Sequence, residues 1–163
     1  MDEMKVLDLL SLNPRASVCD LADILGESEE DVEKVKKSLE EKKIICGYHT
    51  VINWDKTNID HVDAFIGVSA KPERGRGYDK IAERIARFPE VSSLYLTSGT
   101  SEFLLNINAK TMREVADFVG EKLAPLEGVA STVTMFVLKK YKVNGVTMEM
   151  KTDAEDDRLP VSA

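Results

Sequence analysis

No stretch of this chain approaches the roughly 20 uncharged apolar residues that a membrane-spanning helix needs, and its start lacks a basic cluster followed by an apolar run. A soluble, cytoplasmic protein is expected. Cysteine is scarce: Cys19 and Cys46 stand in different segments at no metal-ligand spacing, which excludes a disulfide framework and a zinc site. Apolar neighbours mark both as reduced, buried thiols. The two histidines, His49 and His61, have no carboxylate or thiol at ligand spacing and are expected as plain surface or core residues. No nucleophile is paired with a base, and Gly75-Arg76-Gly77 is too short for a phosphate-cradling loop. These gaps leave no catalytic constellation, so no enzyme activity, cofactor or metal is expected.

What is present is organised in two halves, each with enough Leu, Ile, Val and Phe for its own core across the 163 residues. The net charge of −7 is unevenly spread. Residues 1–53 carry 12 acids and 7 bases, residues 60–143 carry 11 acids and 12 bases, and residues 144–163 carry 5 acids and 2 bases. The first half is therefore acidic, which weighs against a protein that coats nucleic acid nonspecifically.

Residues 1–53 read as three short helices. Met4, Leu7 and Leu10 recur at helical spacing until Pro14. Ser17 caps a second helix with Asp20 at the capping-box position, and Gly26 ends it. Ser28 caps a third, whose first turn is Glu29, Glu30 and Asp31 and whose apolar stripe is Val32, Val35 and Leu39. Tight turns between such helices make a helix-turn-helix. Ile44 to Ile52 is apolar and β-rich and reads as a strand, which makes the head a winged type. Residues 54–60 read as a polar linker.

From His61 the pattern alternates between strand and helix. Strands are expected at Val62–Ala70, Val91–Thr97, Glu102–Ala109 and Ala130–Tyr141. Helices are expected around Ile81, Ile85 and Phe88, and around Val115, Phe118 and Leu123, the second capped by a box of Thr111 and Glu114. The order β-α-β-β-α-β over 61–142 is the ferredoxin-like split βαβ arrangement of an α+β protein, with both helices on one face of an antiparallel sheet. The other face, expected to carry Phe65, Val68, Phe103, Leu105, Ile107, Phe136 and Leu138, then needs a second copy to cover it. Asn144-Gly145 marks a two-residue hairpin that returns the chain through Met148 and Met150. Asp153 to Ala163 lacks an apolar face and is expected to be a disordered acidic tail, so residues 143–163 form a hairpin extension and tail.

Several residues together resemble a known family. Leu9-Leu10, Asn13-Pro14-Arg15-Ala16-Ser17, Leu21-Ala22 and Leu25-Gly26, then Leu39-Glu40-Glu41, Ile44-Ile45 and Gly47-Tyr48, resemble the head of the leucine- and asparagine-responsive (Lrp/AsnC) regulators. Pro89-Glu90-Val91, the Gly99 loop before Phe103-Leu104-Leu105, Gly128-Val129, Ser131-Thr132 and Val137-Leu138 resemble their effector-binding domain in order and spacing, so the resemblance spans about residues 4–142. It implies sequence-specific binding to double-stranded DNA, a sheet-mediated homodimer that assembles to a tetramer or octamer, and transcription regulation through an amino-acid-like small effector. The chain departs from the family in having Lys43 where Gly is usual, Lys36 where an apolar residue is usual, and Glu102 where Asp is common.

On that resemblance, DNA contacts are expected from Ser28, Lys34, Lys36, Lys37, Lys42, Lys43 and Arg15, against repulsion from Glu29, Glu30, Asp31 and Glu33. Effector contacts are expected from Ser98, Gly99, Thr100, Ser101 and Glu102, whose hydroxyls and amides suit a carboxylate and whose Glu suits an ammonium. The acidic third helix keeps a second reading open, a regulator-like small-molecule-binding or assembly module that no longer binds DNA. A resemblance to sirohaem decarboxylases is weaker, because Tyr95 is followed by Leu96 and no histidine is near.

Overall fold

The computed structural model describes residues 2–72 and 74–148, and the chain divides into two compact units, Met1–Val51 and Ile52–Ala163. Met150 and Asp153 to Ala163, on which a returning strand and a disordered tail were expected, lie outside the described residues.

The first unit holds α1 (Glu3–Leu12), α2 (Val18–Leu25) and α3 (Glu29–Glu41). Each begins on a side-chain cap: Asp2, Ser17 and Ser28 accept the backbone N–H groups of Met4, Asp20 and Asp31. The Ser17 and Asp20 box is complete in both directions. Gly26 ends α2 at φ +69, the left-handed conformation that glycine adopts without a Cβ penalty. Val6, Leu10, Leu21, Ala22, Val32 and Leu39 form the core.

Two expectations fail here. Ile44 to Ile52 forms no strand: it begins in a bend and continues without regular structure, because residues 2–51 contain no strand to complete a ladder with it. Both cysteines are exposed. At about 100° per residue Cys19 falls on the flank of the Leu21, Ala22 and Leu25 stripe, and Cys46 lies in the irregular run after α3.

The second unit holds β1 (Val62–Ala70), α4 (Asp79–Ala86), β2 (Val91–Leu96), β3 (Phe103–Ala109), α5 (Met112–Phe118), a π-type turn at Val119–Leu123, and β4 (Val129–Phe136). A 3-10 turn, Trp54–Lys56, precedes β1. The sheet is antiparallel in the order β2-β3-β1-β4, the βαββαβ topology. Ala64, Ile66, Val68, Phe103, Leu105 and Ile107 face Ile81 and Ile85 of α4 and Val115 and Phe118 of α5, each large side chain there contributing about 1.5–3 kcal/mol by leaving water. Thr111 Oγ1 caps α5 through the Glu114 N–H, but the Glu114 carboxylate accepts from Lys110 instead of Thr111, so the expected box is half formed. A short hairpin, β5 (Lys142–Val143) and β6 (Val146–Thr147), turns on Asn144 and Gly145, both at positive φ.

The bare face of the sheet is real, but its membership was misassigned. Side chains alternate along a strand, so Val68, Phe103, Leu105 and Ile107 share the helix-covered face and are buried. Phe136 pairs with Ala64 and packs on the same core, and Leu138 lies beyond β4, 91% exposed. The apolar residues exposed on the open face are Phe65, Tyr95, Val133 and Met135.

Candidate functional site

In the head, α2 and α3 and the turn at Gly26 form the helix-turn-helix. With 3.6 residues per turn, Val32, Val35 and Leu39 point inward, so the opposite stripe of α3 runs Glu30, Lys34, Lys37, Glu41. Lys34 pairs with Glu30 at 2.8 Å. Lys37 is exposed on the same stripe. Lys36 is not on it: it is half-buried on the flank, its Nζ 5.3 Å from the centre of the Tyr48 ring. Tyr48 is 45% exposed, but its hydroxyl donates to Glu40 at 2.9 Å, and partial desolvation, then that bond and the Glu40 charge, push the phenol up to about 12. Lys36, Tyr48 and Glu40 thus hold the segment after α3 to the helix.

Lys42 reaches Glu3 of α1 at 3.4 Å, and Arg15 is exposed before α2. The Ser28 hydroxyl is committed to Asp31, donating to its carboxylate at 2.7 Å while accepting its N–H. Lys43 takes φ +56, the left-handed position that ends α3, where Ile44 and Ile45 both donate to the Leu39 carbonyl. Lys43 holds this position at a cost in backbone strain, with the cap kept. Carboxylates gather where α2 meets the start of α3: the Cys19 thiol is held above its ordinary range by a hydrogen bond to Glu29, by the Glu29 charge, and by Asp23 and Asp20.

In the second unit, Ser98 to Ser101 link β2 to β3. Thr97 closes the loop, its N–H donating to the Glu102 carbonyl at 2.8 Å and its hydroxyl to the Ser101 carbonyl at 2.7 Å. Ser98, Gly99 and Thr100 are exposed, while Ser101 and Glu102 are half-buried. Glu102 is partly spent on the fold, because its Oε2 accepts the Ala70 N–H at 2.8 Å where the β1–β4 register shifts. Ser101 lies over Gly67: a Cβ there would stand 2.8 Å from the Ser101 hydroxyl. A cleft of about 280 Å³ lies elsewhere, between Glu90, Asn108, Glu114, Phe118 and Lys122. There Lys122 pairs with Glu90 and its hydrogen bond holds that carboxyl below the usual range. Within one chain, the loop is an open surface.

One cluster escaped the sequence reading. His61 was taken as isolated, yet its Nε2 stands 3.1 Å from Asp63 Oδ2, close enough for an ion pair and off the line of a hydrogen bond. His61 stands one residue before β1, outside the strand, so strand alternation did not join it to Asp63.

A three-helix head with a capped helix-turn-helix, followed by a βαββαβ sheet with one apolar face bare, is the architecture of a two-domain, ligand-responsive transcriptional regulator. Residues 63–147 match the Lrp/AsnC ligand binding domain. The chain is 40% identical over 161 residues, 98% of its length and 96% of the relative's, to the uncharacterized HTH-type transcriptional regulator YugG of Bacillus subtilis. It is 36% identical to the HTH-type transcriptional regulator LrpA of Pyrococcus abyssi, over 84% of this chain and 94% of that one. A transcriptional regulator of Neisseria meningitidis solved as its L-Met complex superposes with a TM-score of 0.69 at 26% identity, covering 88% of this chain and 93% of that one. The chain belongs to the Lrp/AsnC family of HTH-type transcriptional regulators.

Proposed function

We propose that this regulator binds double-stranded DNA through α2 and α3 and responds to an amino acid or related metabolite at residues 98–102, without catalysing a reaction. The observation that carries the reading is the bare sheet face: Phe65, Tyr95, Val133 and Met135 form one apolar surface that a second copy covers. Homodimers follow, and tetramers or octamers built from them. Because the effector loop is open in a single chain, a neighbouring subunit is needed to close it. The L-Met complex of the Neisseria regulator supports an amino-acid effector.

On α3 the stripe Glu30, Lys34, Lys37, Glu41 is electrically balanced, so one head neutralises few phosphates. Affinity then comes from several linked heads engaging half-sites about a helical turn or its multiples apart. Replacing Lys34 and Lys37 by Ala should weaken binding to the region upstream of the protein's own gene and flatten the salt dependence by roughly 0.9 per lost phosphate contact. Fluorescence anisotropy across a salt series measures both. Unchanged affinity and slope would favour the second reading, an assembly module that does not read DNA, which the carboxylates around Cys19 support. For the effector loop, a panel of L-amino acids is scored by thermal shift, since a ligand of the native state raises stability by mass action. Ser101→Ala and Thr100→Ala should reduce the shift; Glu102→Ala also removes the Ala70 brace and is read beside them.

A further inference from the structure

Among the described residues Asp63 is the buried charged side chain, 8% exposed. It lies near the start of β1, on the face away from the helices, and three segments place a partner on it. Lys140, beyond β4, pairs with Oδ2, and His61, on the segment entering β1, approaches the same oxygen at 3.1 Å. The Asn108 amide, its nitrogen turned inward, donates to Oδ1. His61 in turn carries Trp54, the two rings stacked with centroids 4.8 Å apart and planes 18° apart. Met148 is buried after β6, its N–H donating to the Tyr141 carbonyl at 2.8 Å. Together with Leu138 and Lys140 it lines the same small cavity as Trp54 and His61. That cavity, about 40 Å³, is near the volume of a single water and too small for a metabolite. The cluster is therefore a fastener.

A carboxylate this deep is tolerated only while its partners stay, so each partner's position depends on the others. We infer that Asp63 is a shared anchor that couples the Trp54 turn to the C-terminal strap, residues 138–148. Displacing the strap takes Lys140 from Asp63; the carboxylate, left buried and uncompensated, then turns toward water, and His61 with its stacked Trp54 loses the oxygen that orients it. The segment preceding β1 thereby becomes responsive to whatever grips the strap.

Trp54 is the only tryptophan, so its emission and its quenching by acrylamide report this segment in the full chain. Lys140→Met removes the charge and keeps the stem; a several-fold rise in the quenching constant and a red-shifted emission are expected. Met148→Ala, which touches only the apolar side of the strap, should move both in the same direction, while Lys140→Arg should match the wild type. Far-UV circular dichroism checks that each variant is folded. Wild-type quenching in both Lys140→Met and Met148→Ala overturns the coupling. A rise in Met148→Ala alone overturns the role of the Asp63 charge, as does Lys140→Arg behaving like Lys140→Met. Were Lys140→Met to unfold, Lys140→Gln, which keeps a polar end without the charge, takes its place: raised quenching supports the coupling and wild-type quenching overturns the role of the charge.

Discussion

The two units solve one problem at different scales. The head rests on six buried residues and a mixed-sign surface, whereas the sheet unit rests on twelve buried residues drawn from two strands, two helices and the turn after α5. Both units turn left-handed at glycines, Gly26 in the head and Gly128 among others in the sheet unit; the non-glycine residues at positive φ are Lys43 (φ +56) in the head and Asn144 (φ +47) in the sheet unit, and asparagine tolerates that conformation better than lysine. The head thus carries the greater strain on the smaller core. The head is the unit with less margin.

The largest test of that contrast is a core truncation in each. Leu39→Ala and Leu105→Ala both empty a fully buried site and cost about 2–5 kcal/mol. Small domains hold only about 5–15 kcal/mol in total, so Leu39→Ala should take a large share of the head's stability and lower its transition steeply while the sheet transition stays in place. Leu105→Ala should shift the sheet transition without abolishing it. Calorimetry resolves the two, and a single shared transition in both variants would break the contrast.

Next in size is Gly128→Ala. A Cβ there stands 2.6 Å from Ile81 Cδ1 and 3.2 Å from Cγ1, at a φ that L-residues avoid. Backbone strain and overpacking of the α4 contact together cost about 2–4 kcal/mol. The midpoint of urea unfolding, followed by the sheet signal, should fall accordingly. Lys43→Gly is the mirror experiment: it relieves about 1–2 kcal/mol of left-handed strain and returns part of it as unfolded-chain entropy. The head should gain about 0.5–1 kcal/mol. A loss would mean that the Lys43 side chain holds more than the backbone does.

Which features were legible in the sequence follows the range of the interactions involved. Caps at Ser17 and Ser28, the Gly26 stop, the Asn144-Gly145 hairpin and the β-α-β-β-α-β order are local chemistry, and they appear where expected. The open face was misassigned because four strands contribute to it, and the choice of face depends on register across strands far apart in sequence. Ile44 to Ile52 has the composition of a strand, but a ladder needs a partner that the head does not supply. The candidate DNA lysines were read as one set, yet helical geometry separates Lys36 from Lys34 and Lys37. Asp63 was invisible because its partners come from positions 61, 108 and 140.

The smallest effect is the most selective test of the head. Tyr48 is an acid whose neutral form is favoured in the fold, first by partial desolvation and then by the hydrogen bond and charge of Glu40. Its folded value of about 12 lies above the unfolded value of 10.0. The stabilisation it gives is therefore fully present below pH 10, declines as the unfolded chain begins to ionise, and is gone above about 12. Lysines titrate over part of the same range, so wild type alone does not isolate it. Tyr48→Phe does, because the phenyl ring still receives Lys36 while the ionisable hydroxyl is absent. Below pH 10 the wild-type head should be the more stable of the two, and the gap in urea midpoint should close between pH 10 and about 12. A gap that stays constant across that range would show that Tyr48 does not ionise differently on folding, and that its hydroxyl is not held by Glu40 in the folded head.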